Sequence, residues 1–322
     1  MSLFNLPLLL DKSAIQSLTY TSIETLTRHY LLVLPPILLV EIMGDLHSNK
    51  GKITTPDSEL NTRLVQGLAK KLITHSAVKN VDYRYLCAAE LDGEQVSSHF
   101  RPCVAPTNLS ITSGGGVGAF IDAEREMKMI HNWQDGNFTA DEVQYAKAFR
   151  ETSKEVDLNS YKERLKDFKL TFSSNSLTDL RQQISNNTLT ARGQWSFIGW
   201  YCDALGLSPA LKSEIKRRFL ASSATFQEFA PYTYHCYLVQ TVFLWGLANN
   251  LISTSKKGKA HIDIQYLFYL PHVRVFSSKD NLHRELWEAF GDEEQQVFIW
   301  ADDLSADLNV LTSFWQSLSL EE

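Results

Sequence analysis

Cysteine is scarce and scattered. The chain has four, Cys87, Cys103, Cys202 and Cys236, and no two of them form a C-x-x-C pair. That spacing argues against a zinc or dithiol motif and fits buried thiols in a reducing cytosol. Long apolar runs are also missing. Leu31 to Met43 is broken by Pro35, Pro36 and Glu41, and Cys236 to Ile252 by Gln240, Asn249 and Asn250, so neither supplies the ~20 apolar residues of a membrane span. The opening MSLFNLPLLLDK lacks a basic leader and its apolar run stops at Asp11, so no secretion signal is expected and the chain is placed in the cytoplasm, without a membrane partner. Positive charge is not in excess: the net charge is −6 and the pI about 5.9. No global basic surface can therefore hold nucleic acid by counterion release, and any such contact must be local. No internal repeat or low-complexity segment occurs.

What is present describes a chain that folds throughout. Its 322 residues, 44% hydrophobic and 11% aromatic, suffice for a large core in one elaborated domain or two intimate ones. Leu8, Leu9 and Leu10, then Leu31 to Leu34, read as short continuous apolar runs of the kind found in parallel strands buried on both faces. Val273, Val275 and Phe276 predict a third strand, left by Ser277, Ser278, Lys279 and Asp280, and Val297 to Trp300 a last one. Between them, residues 49–230 read as mainly helical. Leu60, Leu64, Leu68 and Leu72 form a packing stripe, and further helices are expected over 120–133, 140–154, 160–168, 190–205 and 209–220. The helix after Pro231 is apolar nearly all round, which predicts burial against the sheet. His235 on it reads as a hydrogen-bonded core histidine. The run SGGGVGAF, with Gly114, Gly115, Gly116 and Gly118, lacks the Lys-Ser/Thr ending of a phosphate loop and reads as a flexible turn.

Four acids stand at particular points of these elements. Asp11 ends the first strand, Glu41 lies on the apolar helix ILLVEIMGDL with Asp45 one turn on, Asp263 sits on the short helix stopped by Pro271, and Asp280 follows the third strand. Ligands of open α/β sheets bind outside the carboxyl ends of strands, so these positions suit a metal cage. Each acid also has a plain reading: Asp11 as a helix cap, and Glu41 as an acid paired with Arg28 or Lys50. Asp302 and Asp303 read as a capped helix start. Of the basic clusters, Lys256, Lys257 and Lys259 stand out because they immediately precede Asp263 and could steer a phosphate backbone toward the acids.

The quoted segments LLLDKSAIQSL, LLVLPPILLVEIMGDL, HIDIQYLFYLP and VRVFSSKDNLH, in that order, resemble the PIN-like nuclease family over roughly the first 48 and last 90 residues. The resemblance implies an α/β fold: a PIN-like parallel-sheet core from segments 1–48 and 231–322, interrupted by a large, mainly α-helical insertion over 49–230. The Ser278-Lys279-Asp280 step departs mildly from the family's commoner Thr-x-Asp, and the insertion departs strongly from its usual compactness. What the resemblance implies for function is a metal-dependent endonuclease, RNA favoured over DNA. Asp11, Glu41, Asp263 and Asp280 would be the catalytic metal ligands for Mg2+ or Mn2+, with Asp45 auxiliary. Ser278, Lys279, His283 and Arg284, with the lysine cluster, are its expected substrate contacts. The alternative is a catalytically silent PIN-like binding or regulatory protein acting through the insertion, with a protein partner or a second copy. A third class is a helical interaction protein whose acids are only caps and ion pairs.

Overall fold

A computed structural model describes residues 6–47, 58–74, 76–97, 99–104, 109–110, 120–121, 123–155, 172–190, 194–252 and 260–318. In chain order the elements are β1 (Leu6–Leu10), α1 (Lys12–Ser17), α2 (Tyr20–Thr27), β2 (Tyr30–Leu34), α3 (Pro36–Gly44), α4 (Ser58–Leu72), β3 (Ala77–Lys79) and α5 (Tyr83–Asp92). There follow β4 (Leu109–Ser110), β5 (Phe120–Ile121), α6 (Ala123–Gln134), α7 (Ala140–Glu155), α8 (Leu177–Thr190), α9 (Trp195–Ala204), α10 (Pro209–Ser222) and α11 (Phe226–Phe229). The chain closes with α12 (Pro231–Ala248), α13 (Ala260–Leu267), β6 (Val275–Ser278), α14 (Asn281–Phe290), β7 (Val297–Trp300) and α15 (Ala301–Leu318). No described helix is long and apolar enough to cross a membrane.

Five strands form one parallel sheet in the order β3-β2-β1-β6-β7. β1 is central because Leu8, Leu9 and Leu10 are fully buried and can accept helices on both faces. It pairs with β2 through Leu8↔Leu32 and with β6 through Leu10↔Ser277. Successive connections therefore leave β1 in opposite directions, which makes the β1/β6 boundary the sheet's switch point and opens a crevice at its carboxyl end.

Several expectations change on folding. The interval 49–230 gives the sheet an edge strand, β3, paired to β2 through Val33↔Val78. Ser277 and Ser278 do not leave β6 but are its last two residues, both fully buried. On α4 Leu60 is half exposed, and the inward face uses Val65, Leu68, Ala69 and Leu72 instead. The expected helix over 160–168, the glycines 114–118 and the lysines Lys256, Lys257 and Lys259 lie outside the described residues.

α12 is buried by helices rather than by the sheet, packing on α5, α8, α11 and α13. Its N-terminus is held by Glu90 of α5, whose carboxylate accepts from the Tyr232 N–H (3.1 Å), the Thr233 N–H (2.7 Å) and the Thr233 hydroxyl (2.7 Å). Burial pushes the Glu90 carboxyl up despite these donors. An anion on unsatisfied helix N–H groups complements the helix dipole. Glu90→Ala should cost about 2–4 kcal/mol, read as a lower urea midpoint, because it leaves those donors buried and unpaired.

Candidate functional site

The crevice is built from residues that end strands and start helices. Asp11 closes β1 and caps α1: its Oδ1 accepts from the Ala14 N–H at 2.7 Å. Asp280 follows β6 and caps α14, its Oδ1 accepting from the Leu282 N–H at 2.9 Å. For both acids the cap and the site position are one conformation, because a cap is where a chain leaves a strand to begin a helix. Parallel pairing of β1 and β6 brings the two turns side by side, with the Lys279 N–H donating to Ser13 Oγ at 3.2 Å.

Ser278 ties the turns together. Its hydroxyl donates to Asp11 Oδ2 at 2.7 Å and accepts from the Asp280 N–H at 2.9 Å. Ser13 Oγ lies 2.8 Å from both Asp11 oxygens. His283 sits behind this network, 1% exposed. Its Nδ1 is 2.7 Å from Ser278 Oγ and 3.3 Å from Asp11 Oδ2, and its Nε2 is 2.9 Å from the Asp263 carbonyl oxygen. Its expected role as a substrate contact is replaced by one inside the fold, since an imidazole this buried meets no polymer. Burial disfavours its charge, but the Asp11 hydrogen bond and charge, with Asp263 behind them, raise its pKa to about 9. Burial likewise acts against ionised Asp11, yet His283, the Ala14 N–H and the Ser278 hydroxyl outweigh it and hold the carboxyl below the usual range.

Glu41 reaches the same crevice from α3, its Oε2 accepting from the Tyr266 hydroxyl at 2.6 Å. Burial raises it, and the Asp11 charge adds to that against Lys12 and Tyr266. Asp263 enters from α13. Its carboxyl is raised to about 7, first by burial and then, against His283, by the charges of Glu41, Asp280 and Asp11. Four acids from four separate elements thus act on one another across the crevice. The cost is testable. Asp263→Asn should raise stability in chelator at pH 8 by about 1–3 kcal/mol, measured by chemical denaturation. The sign follows from a folded pKa above the unfolded one: the wild type is relieved as the pH falls through 7 toward 4, so the advantage of Asn must shrink there. An advantage that persists at pH 4 would show that charge is not the cause.

Asp45 stands apart. It is fully buried on the 3-10 turn after α3 and is bound by Lys12 (2.8 Å) and by Arg150 of α7, whose Nε also donates to the Gly44 carbonyl at 2.8 Å. For Glu41 the observed side-chain partner is Tyr266 rather than Arg28, and Lys50 lies outside the described residues. Lys12 also donates to the Glu41 carbonyl at 3.2 Å, so one ammonium links both acidic residues of this segment. Lys279 pairs with Asp302, while Arg284 pairs with Glu288 at 2.7 Å and lies over Trp287 and Phe298. His235 donates to the Leu267 carbonyl at 2.9 Å, as a core histidine should.

The donor set is all oxygen, the kind hard divalent ions take. Among the described residues the Asp263 carboxylate receives no hydrogen bond, while Asp280 and Glu41 each have one oxygen engaged. Asp11 has both engaged. Among the described residues no three His, Cys, Asp or Glu side chains are grouped closely enough to hold an ion as they stand. Comparison with family models, curated proteins and solved structures returns no match. The residues themselves therefore carry the functional reading. Sequence reasoning missed Ser13, the buried role of His283, and Lys12 and Arg150 as the cations that hold Asp45; Lys12 adjoins Asp11, whereas Arg150 is 105 residues from Asp45.

Proposed function

We propose that the chain is a PIN-like, divalent-metal-dependent endonuclease, RNA favoured over DNA. The observation that carries this is geometric: parallel pairing of β1 and β6, bridged by Ser278, sets Asp11 and Asp280 side by side at the switch-point crevice where α/β sheets bind ligands. The raised Asp263 carboxyl, buried and facing the charges of Glu41, Asp280 and Asp11, accords with it. Mutually repelling buried carboxylates are stabilised by a bound cation, and oxygen donors select Mg2+ or Mn2+. Asp263, Asp280, Glu41 and Asp11 would hold it. Such an ion supplies an activated water and neutralises charge on the phosphodiester.

The chain's own residues prepare that event. Ser278 and Ser13 orient Asp11, and His283 fixes Ser278 against the Asp263 backbone. Asp263, whose carboxyl is raised to about 7, would release its proton on binding such an ion. Lys279, exposed just before α14, and Arg284, half-buried in its first turn, would be the contacts to a polymer. Hydrolysis then breaks one phosphorus–oxygen bond, water adding hydroxide to phosphorus and a proton to the departing oxygen.

The test incubates the protein with labelled single-stranded RNA, folded RNA, single-stranded DNA and duplex DNA, each with Mg2+, Mn2+ or chelator. Metal-dependent cutting of RNA is expected, and no cutting of any substrate under any ion would overturn the proposal. A second reading, a silent scaffold of the same fold, draws on Asp11: its engaged oxygens and its ion pair with His283 leave it already neutralised. On that reading Mn2+ leaves the melting temperature unmoved, whereas an occupied site at 100 times its Kd adds about 2.7 kcal/mol.

A further inference from the structure

The amino end of the sheet, opposite the acids, carries a cleft of its own. α2 runs into β2 and α4 into β3, so Thr27 and Arg28 lie beside Ile73 and Thr74 where those two strands begin to pair. The cleft between them holds ≈ 300 Å³ and is lined by Tyr20, Glu24, Thr27, Arg28, Ile73 and Thr74. Tyr20, Glu24, Thr27 and Arg28 fall at i, i+4, i+7 and i+8, one stripe of α2. Thr27, 8% exposed, belongs to its floor, as does the Thr74 hydroxyl, which is buried and has no hydrogen-bond partner among the described residues. A buried hydroxyl that faces a cleft takes its partner from whatever fills the cleft. Glu24 and Arg28 are exposed at the rim. Arg28 keeps helical dihedrals (φ −73°, ψ −24°), so the two stand one turn apart at the spacing that favours an ion pair. Arg63 with Glu59 and Arg284 with Glu288 do pair at this spacing. Among the described residues Glu24 and Arg28 make no ion pair and no side-chain hydrogen bond, and so offer an anion and a cation separately to the cleft.

We propose that this cleft binds a free α-amino acid with an apolar side chain, its ammonium on Glu24, its carboxylate on Arg28 and its side chain against Ile73 and the Tyr20 ring. The Thr74 hydroxyl then donates to the ligand carboxylate. Thr27 Oγ1, which donates to the Glu24 carbonyl at 3.2 Å, keeps its lone pairs to accept from the ammonium. Charge excludes the other occupants. A phosphate would meet Glu24 and the carboxyl ends of α2 and α4, whose dipoles repel it. A polyamine would meet Arg28, and an uncharged ligand would cover both charges and pair neither. A peptide brings only one of its two termini. The volume stands at the small end of ligand sites, which suits one amino acid rather than a nucleotide.

Calorimetric titration and thermal melts of the full chain with L-leucine, L-isoleucine, L-methionine and L-phenylalanine should show saturable binding of at least one, the melting temperature rising as its concentration exceeds Kd. The N-acetyl and carboxamide derivatives of that amino acid should bind about tenfold or more weakly, since each loses one charge-assisted hydrogen bond. Glu24→Gln and Arg28→Gln, both at exposed positions, should weaken binding equally and leave the melt of the ligand-free protein unchanged. Thr74→Val is the sharper probe. It deletes a hydroxyl that has no partner among the described residues, so the ligand-free melt should hold or rise while affinity falls. No binding of any of the four up to about 10 mM would overturn the inference. So would binding that the derivatives share, or that survives any of the three substitutions. None of these readouts depends on nuclease activity.

Discussion

Asp280→Asn and Asp263→Asn should each lower Mn2+-dependent RNA cleavage by at least about 10²–10³-fold, the loss typical when one preorganised charge-stabilising group is removed, while leaving the fold intact. The expectation of an intact fold is specific to these two. Asn is as good a helix cap as Asp, and the Asp280 bond to the Leu282 N–H is made by Oδ1, an atom Asn keeps. Asp263 receives no hydrogen bond among the described residues, and its charge is a burden in the folded state. Asp11→Asn should behave differently. It would lose cleavage and also stability, because it strips the buried His283 of its counter-charge and disturbs the contact with Ser278. A dissociation of activity from stability at Asp280 and Asp263, with both lost at Asp11, would separate a metal site from a merely structural cluster. Cleavage retained by Asp280→Asn would remove the nuclease reading.

The second large effect is acid lability at His272. This imidazole is fully buried, its Nδ1 lies 3.1 Å from the Arg101 carbonyl and its ring packs tilted against Tyr232, centroids 4.9 Å apart. Burial, against the Arg101 hydrogen bond, depresses its pKa to about 4. The denatured chain takes up that proton below about 6.5 and the folded chain does not, so stability present above pH 6.5 is lost as the pH falls toward 4, by up to about 3 kcal/mol. Asp263 works in the opposite direction over part of this range. The informative quantity is therefore the difference between wild type and His272→Asn in urea midpoints at pH 7.5, 6 and 4.5. The variant should be less stable at pH 7.5 and close the gap on acidification, and a constant gap would show that His272 does not govern the acid limb.

The strands of the central sheet were legible in the sequence where burial on both faces removes polar residues. LPLLL, YLLVL and VFIW are read directly, whereas β3 is three residues, AVK, too short to show a period. α8 was missed because QQISNNTL is polar on all but one narrow face, and its stability comes from packing on α12 and α14, which is invisible locally. The acids were legible because a carboxylate at a strand end or in an apolar helix breaks its local pattern. Their partners were not. Arg150 meets Asp45 from 105 residues away, and Ser278 meets Asp11 from 267 residues away. His283 looked like a surface residue because α14 is strongly amphipathic, and which side of it faces the crevice is fixed only when β6 docks.

The position of β1 between β2 and β6 has a consequence for the order in which the molecule can be made. The centre of the sheet is made well before the neighbour that completes it, since Leu10 pairs with Ser277, 267 residues further on, so β1 leaves the ribosome with one edge unpaired while the intervening helices are made. Closing so distant a contact is slow. The carboxylates are correspondingly the last feature to come together, so a chain truncated before β6 holds Asp11, Glu41 and Asp263 but lacks Asp280, the Ser278 bridge and the crevice they frame. Fragments that lack β6 thus leave β1 with an open edge along which they are liable to aggregate, and the crevice exists only once β6 has paired with β1.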